Sequence, residues 1–295
     1  MNIPEMLLKE KIKAFIEEDV GLGDVTTDLI VPPETRVYAH IIVKEAAVVA
    51  GIYETKVIFN MINAAFLPTV NDGDEVPENT IIAKVEGDGR AILSVERTAL
   101  NLLSRMCGIA TETRRLIKKV KAAGFNVRIA ATRKTAPGLR YFDKKAVIIG
   151  GGDPHRFKLD DQILIKDNHV IVAGTLEEAL KRARSLASFS KKIEIEARNI
   201  SEAVQAAKLG ADVIMLDNMS ATEVQKVIDA LTSLGLRDKV LIEVSGGINE
   251  ENILEYAKLN PDIISVGAIT HSAKSIDLSL DVVEVRPLPS LLKPF

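Results

Sequence analysis

The sequence predicts an α/β protein whose larger part is a (β/α) barrel. From Asn126 onwards, short apolar runs alternate with segments that carry helix N-terminal signals, and a strand, helix, strand repeat indicates parallel pairing. The runs are nearly all apolar, as expected for strands that are buried on both faces. Seven runs are present, which fits a complete or an incomplete barrel: VRIAAT, AVIIG, ILIK, KIEIEA, VIMLD, VLIEVSG and IISVG. A doubly wound open sheet is the alternative, although no G-x-G-x-x-G motif follows the first strand.

Composition places the chain among globular proteins and excludes several functional classes. Its 295 residues are enough for a barrel and an accessory domain, and 47% of them are apolar. Tryptophan is absent, aromatic residues make up 4%, and the formal charge is −3, so binding to nucleic acid is not expected. The single cysteine, Cys107, excludes an internal disulfide and a cysteine-rich zinc site.

Neither a targeting sequence nor a membrane segment is recognisable, so we expect a soluble, cytoplasmic protein. The stretch MNIPEMLLKEKIKAFIEED carries charges throughout and lacks the apolar core of a signal peptide. No apolar run is long enough to span a bilayer, and we therefore expect no membrane partner.

The part of the chain before the barrel is predicted to mix helices and strands. An apolar stripe indicates an amphipathic helix over 5–18, and the turn-forming stretch GLGDVTTDLI that follows is predicted to be a loop. Alternation and then an apolar run over 37–50 predict one or two strands, and a helical pattern follows over roughly 52–65. After short strands joined by Asp-Gly turns, a long helical pattern begins at Ser94 and continues beyond Gly108.

Helix starts in the barrel are predicted from capping residues. Thr175, Asn199 and Ser220 are each followed three residues later by glutamate, which is the capping-box pattern. Asn249 precedes a further helical segment. These starts set the spacing between the predicted strands.

Polar residues and glycines recur where the predicted strands end, which is where a barrel places its active site. They are Thr132, Arg133, Lys134, Lys166, Glu196, Asp217, Ser245, Gly246, Gly247 and Gly267. The segment Ser245-Gly246-Gly247, followed by a helix, resembles a phosphate grip with Gly267-Ala268 as its second half, because glycines and helix-start N–H groups favour an anion. Glu196 and Asp217 offer hard oxygen ligands for Mg²⁺, or partners for ribose hydroxyls.

Positive charge is concentrated between residues 131 and 169. This window holds eight Lys or Arg against five Asp, in a chain that is slightly acidic. Arg133, Lys134, Arg156 and Lys166 would suit a substrate with several anionic groups, and arginine favours planar carboxylates. A diphosphate-bearing sugar and a carboxylated second substrate would fit such a pocket. For any single lysine of the window, a solvated basic surface is the simpler interpretation.

These motifs together resemble the family of nicotinate-nucleotide diphosphorylases, also called quinolinate phosphoribosyltransferases. The resemblance covers nearly the whole chain and is carried by GLGDVTTDLI, ERTALNLLSRMCGIAT, TRKTAPGLR, GGGDPHR, LIKDNH, IEIEA, ADVIMLDNM, EVSGGI and SVGAITHSAKSIDLSLDV. It implies an incomplete α/β barrel with a small N-terminal α/β sandwich domain. On this basis we assign the sandwich to residues 1–107 and the barrel to 108–275, and expect the tail 276–295 to pack back on the sandwich.

The resemblance also implies an enzyme, a pentosyltransferase of de novo NAD biosynthesis. Phosphoribosyl transfer from phosphoribosyl diphosphate to quinolinate, with decarboxylation and Mg²⁺, would give nicotinate mononucleotide, CO₂ and diphosphate. The family's homodimer implies that Arg97 reaches into the partner's barrel.

Residue roles follow from the matching motifs. Arg133 and Arg156 would hold the quinolinate carboxylates, and Thr132, Lys134, His155 and Lys166 would line the junction of the two substrates. Glu196 and Asp217 would bind the ribose hydroxyls directly or through Mg²⁺, and would act in catalysis with Lys134 and Lys166. The 5′-phosphate would be held by Ser245, Gly246, Gly247, Val266, Gly267, Ala268 and His271. For His271, a satisfied histidine at a helix end is an equally good interpretation.

Three alternatives stay open at this point. The family usually has other residues where this chain has Ala131, Asp153-Pro154 and Lys158, so a relative that acts on another heterocyclic acid is one alternative. A barrel enzyme that uses Lys166 as a Schiff base is the second. A non-catalytic sensor of a phosphorylated metabolite is the third, although phosphate capture alone needs no carboxylate pair.

Overall fold

The computed structural model describes residues 2–287, and the chain divides into two compact units. The first unit holds Met1–Glu112 and Ala273–Phe295, and the second holds Thr113–Ser272. The end of the predicted tail, beyond residue 287, lies outside the described residues. In the described part, no helix combines the length and the apolar character needed to cross a membrane.

An antiparallel sheet of four strands is the framework of the first unit. Its strands in spatial order are β12 (Leu278–Pro287), β1 (Thr35–Val43), β5 (Ile81–Asp88) and β3 (Ala65–Pro68). From Val37 onwards every second residue of β1 is buried, so one face of the sheet covers a core. The other elements are β2 (Ala47–Val48), β4 (Glu75–Val76), α1 (Glu5–Val20), α2 (Val25–Ile30), α3 (Ile52–Met61) and the part of α4 (Gly89–Ala122) up to Glu112.

The stretch GLGDVTTDLI is only partly a loop, and the prediction was wrong for its second half. Helix α2 begins at Val25 because Asp24 caps it: the carboxylate accepts from the Thr27 backbone N–H at 3.0 Å and from the Thr27 hydroxyl at 2.5 Å. The helix has six residues, too few for an apolar period to appear in the sequence.

Helix α4 is longer than predicted and is continuous. It begins at Gly89 rather than Ser94 and passes through Gly108 without a break. A Cβ atom at residue 108 would lie 1.9 Å from the carbonyl oxygen of Lys274. Glycine is therefore present because another segment of the first unit approaches the helix closely, and it does not mark a helix end.

A parallel sheet of six strands forms the second unit. The spatial order is β6 (Arg128–Ala130), β11 (Ile263–Ser265), β10 (Leu241–Ser245), β9 (Val213–Asp217), β8 (Ile193–Ala197) and β7 (Ile163–Ile165). Among the described strands, β6 and β7 are the two edges, so the barrel is incomplete, as predicted. The helices are α5 (Arg140–Gly150), α6 (Asp167–Ala173), α7 (Leu176–Leu186), α8 (Ile200–Lys208), α9 (Ala221–Ser233), α10 (Ile253–Ala257) and α11 (Ala268–His271).

One of the seven predicted strands is a helix. The run AVIIG forms the C-terminal end of α5, and the residue that caps this helix, Gly151, has a left-handed φ of 96°. Burial of α5 extends around most of its circumference and includes Phe142, Asp143 and Lys144. A helix that is buried on most sides lacks a polar stripe, so its short apolar run cannot be distinguished from a strand by period alone.

The three predicted helix starts are confirmed. The side chains of Thr175, Asn199 and Ser220 accept from the backbone N–H three residues ahead, at the starts of α7, α8 and α9. At Ser220 the box is reciprocal, because Glu223 Oε2 accepts from the Ser220 backbone N–H at 2.8 Å.

Candidate active site

A pocket of about 500 Å³ lies at the carboxyl ends of the strands in the second unit. Side chains alternate along each parallel strand, so Leu164 and Lys166, or Glu243 and Ser245, line it as successive inward positions. Eleven of the residues predicted from the sequence line it together: Thr132, Arg133, Lys134, His155, Arg156, Lys166, Glu196, Asp217, Ser245, Gly246 and Gly247. Residues from six separate segments of the chain therefore share one cavity.

The segment from Val266 to His271 adjoins this lining without being part of it. Val266 is buried, and Gly267 precedes the short helix α11, which Ala268 begins. A Cβ atom at Gly267 would lie 3.2 Å from the His271 ring and 3.4 Å from Lys134 Cδ. Gly267 thus allows the lysine, which does line the pocket, to pass close to the backbone.

Arg97 belongs to the first unit. There it lines a separate cavity of about 330 Å³ with Asp19, Asp24 and Ser94, among others. Its role at a barrel pocket stays a prediction.

Two carboxylates occupy neighbouring strand ends in the pocket. Glu196 Oε1 accepts from Lys166 Nζ at 2.5 Å, and Asp217 Oδ2 accepts from the side-chain amide of Asn218 at 2.8 Å. Burial, followed by the nearby Glu196 charge, raises the pKa of Asp217. Two oxygen-donor groups that repel each other in this way form a place where a hard cation or hydroxyl groups would be favourable.

The glycine loop after β10 is shaped by the loop after β9. Gly246 has a φ of 96°, and a Cβ atom there would lie 2.3 Å from Asn218 Oδ1. A side chain at residue 246 is therefore excluded both by backbone conformation and by contact. Helix α10 begins at Ile253, five residues after Ile248, so the predicted helix start does not lie directly behind the glycines.

Two arginines provide the buried positive charge of the pocket. Arg133 Nε is buried and has no hydrogen-bond partner, while Arg156 is 8% exposed and donates from Nη1 to the Gln162 carbonyl at 3.2 Å. Burial and the nearby Arg133 lower the pKa of Arg156. The pair thus holds like charges close together, an arrangement that favours binding of an anion.

His155 contacts two buried carboxylates that sequence reasoning missed. Its Nε2 lies 3.1 Å from Glu243 Oε2 and 3.4 Å from Glu194 Oε2. Burial acts to lower the pKa of His155, but the hydrogen bonds to Glu194 and Glu243 outweigh it and raise that pKa to about 10. Both glutamates lie inside strands that were read as apolar. Their charge at core positions was the signal that could have identified them.

Lys144 is a second residue that the sequence did not single out. It was one of eight basic residues for which a solvated surface seemed the simplest interpretation, yet it is 0% exposed. Its ammonium donates to the carbonyl oxygens of Pro154 and Arg156, the latter at 2.6 Å, and lies 5.4 Å from the Phe157 ring centroid. Burial and then the nearby Arg140 lower the pKa of Lys144 to about 8. This lysine fixes the loop that carries His155 and Arg156.

Comparison with known proteins gives the same assignment across both units. The family model described as "Quinolinate phosphoribosyl transferase, N-terminal domain" matches residues 24–107, and that of the C-terminal domain matches residues 109–281. A protein of Methanocaldococcus jannaschii named probable nicotinate-nucleotide pyrophosphorylase [carboxylating] is 48% identical, over 93% of this chain and 97% of its own. The human nicotinate-nucleotide pyrophosphorylase [carboxylating] is 35% identical, over 98% and 97%.

Solved structures agree with the sequence matches. The nicotinate-nucleotide pyrophosphorylase of Francisella tularensis superposes with a TM-score of 0.88 at 35% identity, covering 96% of this chain and 98% of that one. That of Ehrlichia chaffeensis also gives a TM-score of 0.88, at 36% identity, covering 96% of this chain and 100% of that one.

Proposed function

The chain belongs to the quinolinate phosphoribosyltransferase family, and on that premise we propose that it makes nicotinate mononucleotide in de novo NAD biosynthesis. It transfers the phosphoribosyl group of phosphoribosyl diphosphate to quinolinate, and releases CO₂ and diphosphate. The observation that carries the proposal is the pocket itself, in which four cationic side chains, the carboxylates of Glu196 and Asp217, and a glycine loop lie within one cavity.

The arginine side of the pocket is the proposed quinolinate site. Arg133 offers a buried donor without a partner, and Arg156 is oriented by its hydrogen bond to the Gln162 backbone carbonyl. Planar guanidinium groups match planar carboxylates, and quinolinate carries two of them on one ring. Thr132 and His155 line the same region. We therefore assign carboxylate binding to Arg133 and Arg156.

The opposite side is the proposed phosphoribosyl diphosphate site. Glu196 and Asp217 can accept hydrogen bonds from the ribose hydroxyls, and the backbone of Ser245, Gly246 and Gly247 can approach the 5′-phosphate. Gly267, Ala268, Val266 and His271 follow the next strand and would complete that phosphate site. Such a pair of loops is the common location of phosphate in α/β barrels.

Mg²⁺ is part of the proposal, and the residues present fit it. Glu196 and Asp217 supply oxygen donors, and the raised pKa of Asp217 indicates a position where added positive charge is favourable. When bound, Mg²⁺ supplies positive charge that neutralises the departing diphosphate.

The protein's own contribution is positioning and electrostatics. Lys134 and Lys166 place positive charge near the leaving group, and the carboxylates of Glu196 and Asp217 stabilise the developing oxocarbenium ion. The quinolinate ring nitrogen attacks the anomeric carbon, so no protein nucleophile is needed. The ring nitrogen then carries positive charge and stabilises the carbanion that is left on the neighbouring carbon when the bond to the carboxylate breaks and CO₂ departs. A proton from water adds to that carbon and gives nicotinate mononucleotide. Binding both substrates in line accounts for much of the expected acceleration.

We further propose a homodimer in which Arg97 serves the partner's pocket. Arg97 lies in the first unit, on α4, and an arginine that lines an open cavity there is available to bind an anionic group. A cytoplasmic location is also part of the proposal, and cell fractionation would test it.

The deciding experiment is to incubate the purified protein with quinolinate, phosphoribosyl diphosphate and Mg²⁺. We expect CO₂ and nicotinate mononucleotide in equal amounts, and no product from nicotinate alone. Binding of phosphoribosyl diphosphate without product would favour a relative that acts on another heterocyclic acid. Borohydride trapping of a substrate on Lys166 would favour the Schiff-base enzyme, and binding of a phosphorylated metabolite without turnover would favour the sensor.

A further inference from the structure

One layer below Glu196 and Asp217, the carboxylates proposed to bind substrate, the barrel contains a second pair of acidic side chains. Glu194 and Glu243 each lie two positions before a residue at the strand end, namely Glu196 and Ser245, so their side chains share the inward face. The side chains of Glu194 and Glu243 are 0% and 1% exposed. Carboxylates buried this deeply are unfavourable unless neighbouring groups compensate their charge.

Two of the three compensating groups, His155 and Gln162, come from the loop that carries Arg156, and the third, Ser265, ends β11. His155 Nε2 lies between the two carboxylates, at 3.1 Å from Glu243 and 3.4 Å from Glu194. Ser265 donates to Glu243 Oε1 at 2.6 Å, and the Gln162 side-chain amide donates to Glu194 Oε2 at 2.7 Å. Both carboxylates therefore bind one side of the same loop.

The surroundings of the two ring nitrogens show how His155 is used. The backbone N–H of Arg156 lies 2.8 Å from His155 Nδ1, while Nε2 faces the two glutamates. Because a carboxylate oxygen accepts hydrogen bonds, Nε2 carries a proton and donates it to the glutamates, in agreement with the raised pKa of this histidine. The ligand atoms of His155, Glu194 and Glu243 lie within 4.8 Å of one another, but a metal ion would have to displace that proton, so the cluster is a hydrogen-bond network.

The network also reaches the two arginines. Gln162 joins Glu194 to Arg156. Its side-chain amide donates to the glutamate, and its backbone carbonyl accepts from the guanidinium. Arg133 and Arg156 repel each other, and the Glu194 charge acts in the opposite direction on the Arg156 guanidinium. Glu194 thus offsets part of the repulsion between the two arginines.

We propose that Glu243, together with Glu194, is a positioning residue for quinolinate: the pair fixes the His155 ring and supports Arg156, so that the acid-binding groups are held in place before the substrate arrives. The proposal rests on the proposed function. It goes beyond that function because neither residue is assigned a contact with a substrate there. Glu243 lines the pocket below Ser245, and Glu194 is not part of the lining.

Glu243→Gln is the sharpest test because it keeps the shape of the side chain. The Ser265 hydroxyl can donate to the amide oxygen or accept from the amide NH₂, so that contact can be kept, but the His155 Nε2–H loses its charged acceptor in either orientation. We expect the dissociation constant and KM for quinolinate to rise about tenfold or more, the usual size for loss of a hydrogen bond to a charged group. The KM for phosphoribosyl diphosphate should stay within about twofold.

Two further variants separate positioning from stability. Ser265→Ala leaves the Glu243 charge in place and removes one hydrogen bond. We therefore expect a smaller rise, about threefold, in the dissociation constant and KM for quinolinate. Ile214→Val, on the opposite face of β9, should lower thermal stability slightly and change neither KM. If Glu243→Gln does not fold, Ser265→Ala decides the question by the same split between the two substrates.

Three outcomes would overturn the proposal. One is an unchanged quinolinate dissociation constant in Glu243→Gln and Ser265→Ala. Another is equal weakening of both substrates, which would indicate a general structural role. The third is stoichiometric binding of a transition metal that Glu243→Gln abolishes. Failure of the proposed function is distinguishable, because the wild-type protein itself would then form no nicotinate mononucleotide.

Discussion

Single residues carry the proposed division of the pocket between quinolinate and phosphoribosyl diphosphate. The Nε donor of Arg133 is buried and has no hydrogen-bond partner, whereas Lys166 Nζ donates to Glu196 Oε1 at 2.5 Å. An unsatisfied buried donor is unfavourable until a ligand supplies an acceptor. The arginine is therefore the residue whose removal should have the most selective effect on binding.

Arg133→Ala should weaken quinolinate binding far more than phosphoribosyl diphosphate binding. Loss of a charged hydrogen-bonding group predicts a rise of at least about tenfold in the quinolinate dissociation constant. Titration calorimetry with each substrate separately would measure it. Arg182→Ala, at an exposed position on α7, is the matched control. Equal loss for both substrates would remove the assignment of Arg133 to the acid.

Lys144 predicts a pH dependence of stability. The pKa of Lys144 in the folded protein is about 8, below the ordinary lysine value of 10.5, so between these values the unfolded chain binds more protons than the folded one. The contribution of Lys144 to the free energy of unfolding should therefore rise with pH across that window, by on the order of 1 kcal/mol per pH unit. Urea unfolding of wild type and Lys144→Met between pH 7 and 10.5 would measure the difference. Parallel pH profiles of the two proteins would contradict the prediction.

At the scale of elements, α4 shows how a distant segment determines one residue of a helix. Its regular hydrogen bonding continues through Gly108, although glycine usually disfavours the middle of a helix by about 1 kcal/mol relative to alanine. The close carbonyl of Lys274 explains why alanine is not used there. The close packing of the segment at Lys274 against this helix therefore takes precedence over helix propensity.

Gly108→Ala should destabilise the protein, the opposite of the usual gain for this change in a helix. A Cβ atom at 1.9 Å from a backbone oxygen forces that segment to move, at a cost of roughly 1–3 kcal/mol. Thermal unfolding should show a fall of several degrees. The exposed helical position Asn101→Ala serves as control and should be neutral or slightly stabilising. A higher melting temperature for Gly108→Ala would refute the close approach.

For the whole molecule, the proposed dimer makes Arg97 and the barrel pocket parts of one site that two subunits build. A two-fold symmetric dimer repeats this exchange, so each subunit both gives and receives an arginine. The proposal can be tested without any structure of the dimer, by complementation between two inactive variants.

Mixing Arg97→Ala with Asp217→Ala should restore activity. Each variant alone is expected to be inactive, while random mixing should recover about a quarter of wild-type activity, because half of the dimers are mixed and each has one intact site. Steady-state assays after subunit exchange would measure the recovery. Activity that stays at the level of the separate variants would show that Arg97 serves its own barrel.

Much of the fold followed from the sequence because its signals are local. Apolar runs, capping residues such as Ser220, and polar residues at strand ends each depend on a few neighbouring positions, and together they predicted the barrel and the position of its pocket. The errors have local causes too. AVIIG in α5 lacks a polar face, and α2 has only six residues, so neither shows a clear period.

The sequence by itself determined the fold class, the family, and the chemical types of side chain at the strand ends. Only the tertiary structure decided which buried groups support them: Glu194 and Glu243 beneath His155, Lys144 beneath the loop, and Asn218 against Gly246. The physical reason is that a charge becomes favourable in a core only through partners that are distant in the chain. Parallel strand register and loop closure bring those partners together, and neither leaves a periodic trace in the sequence.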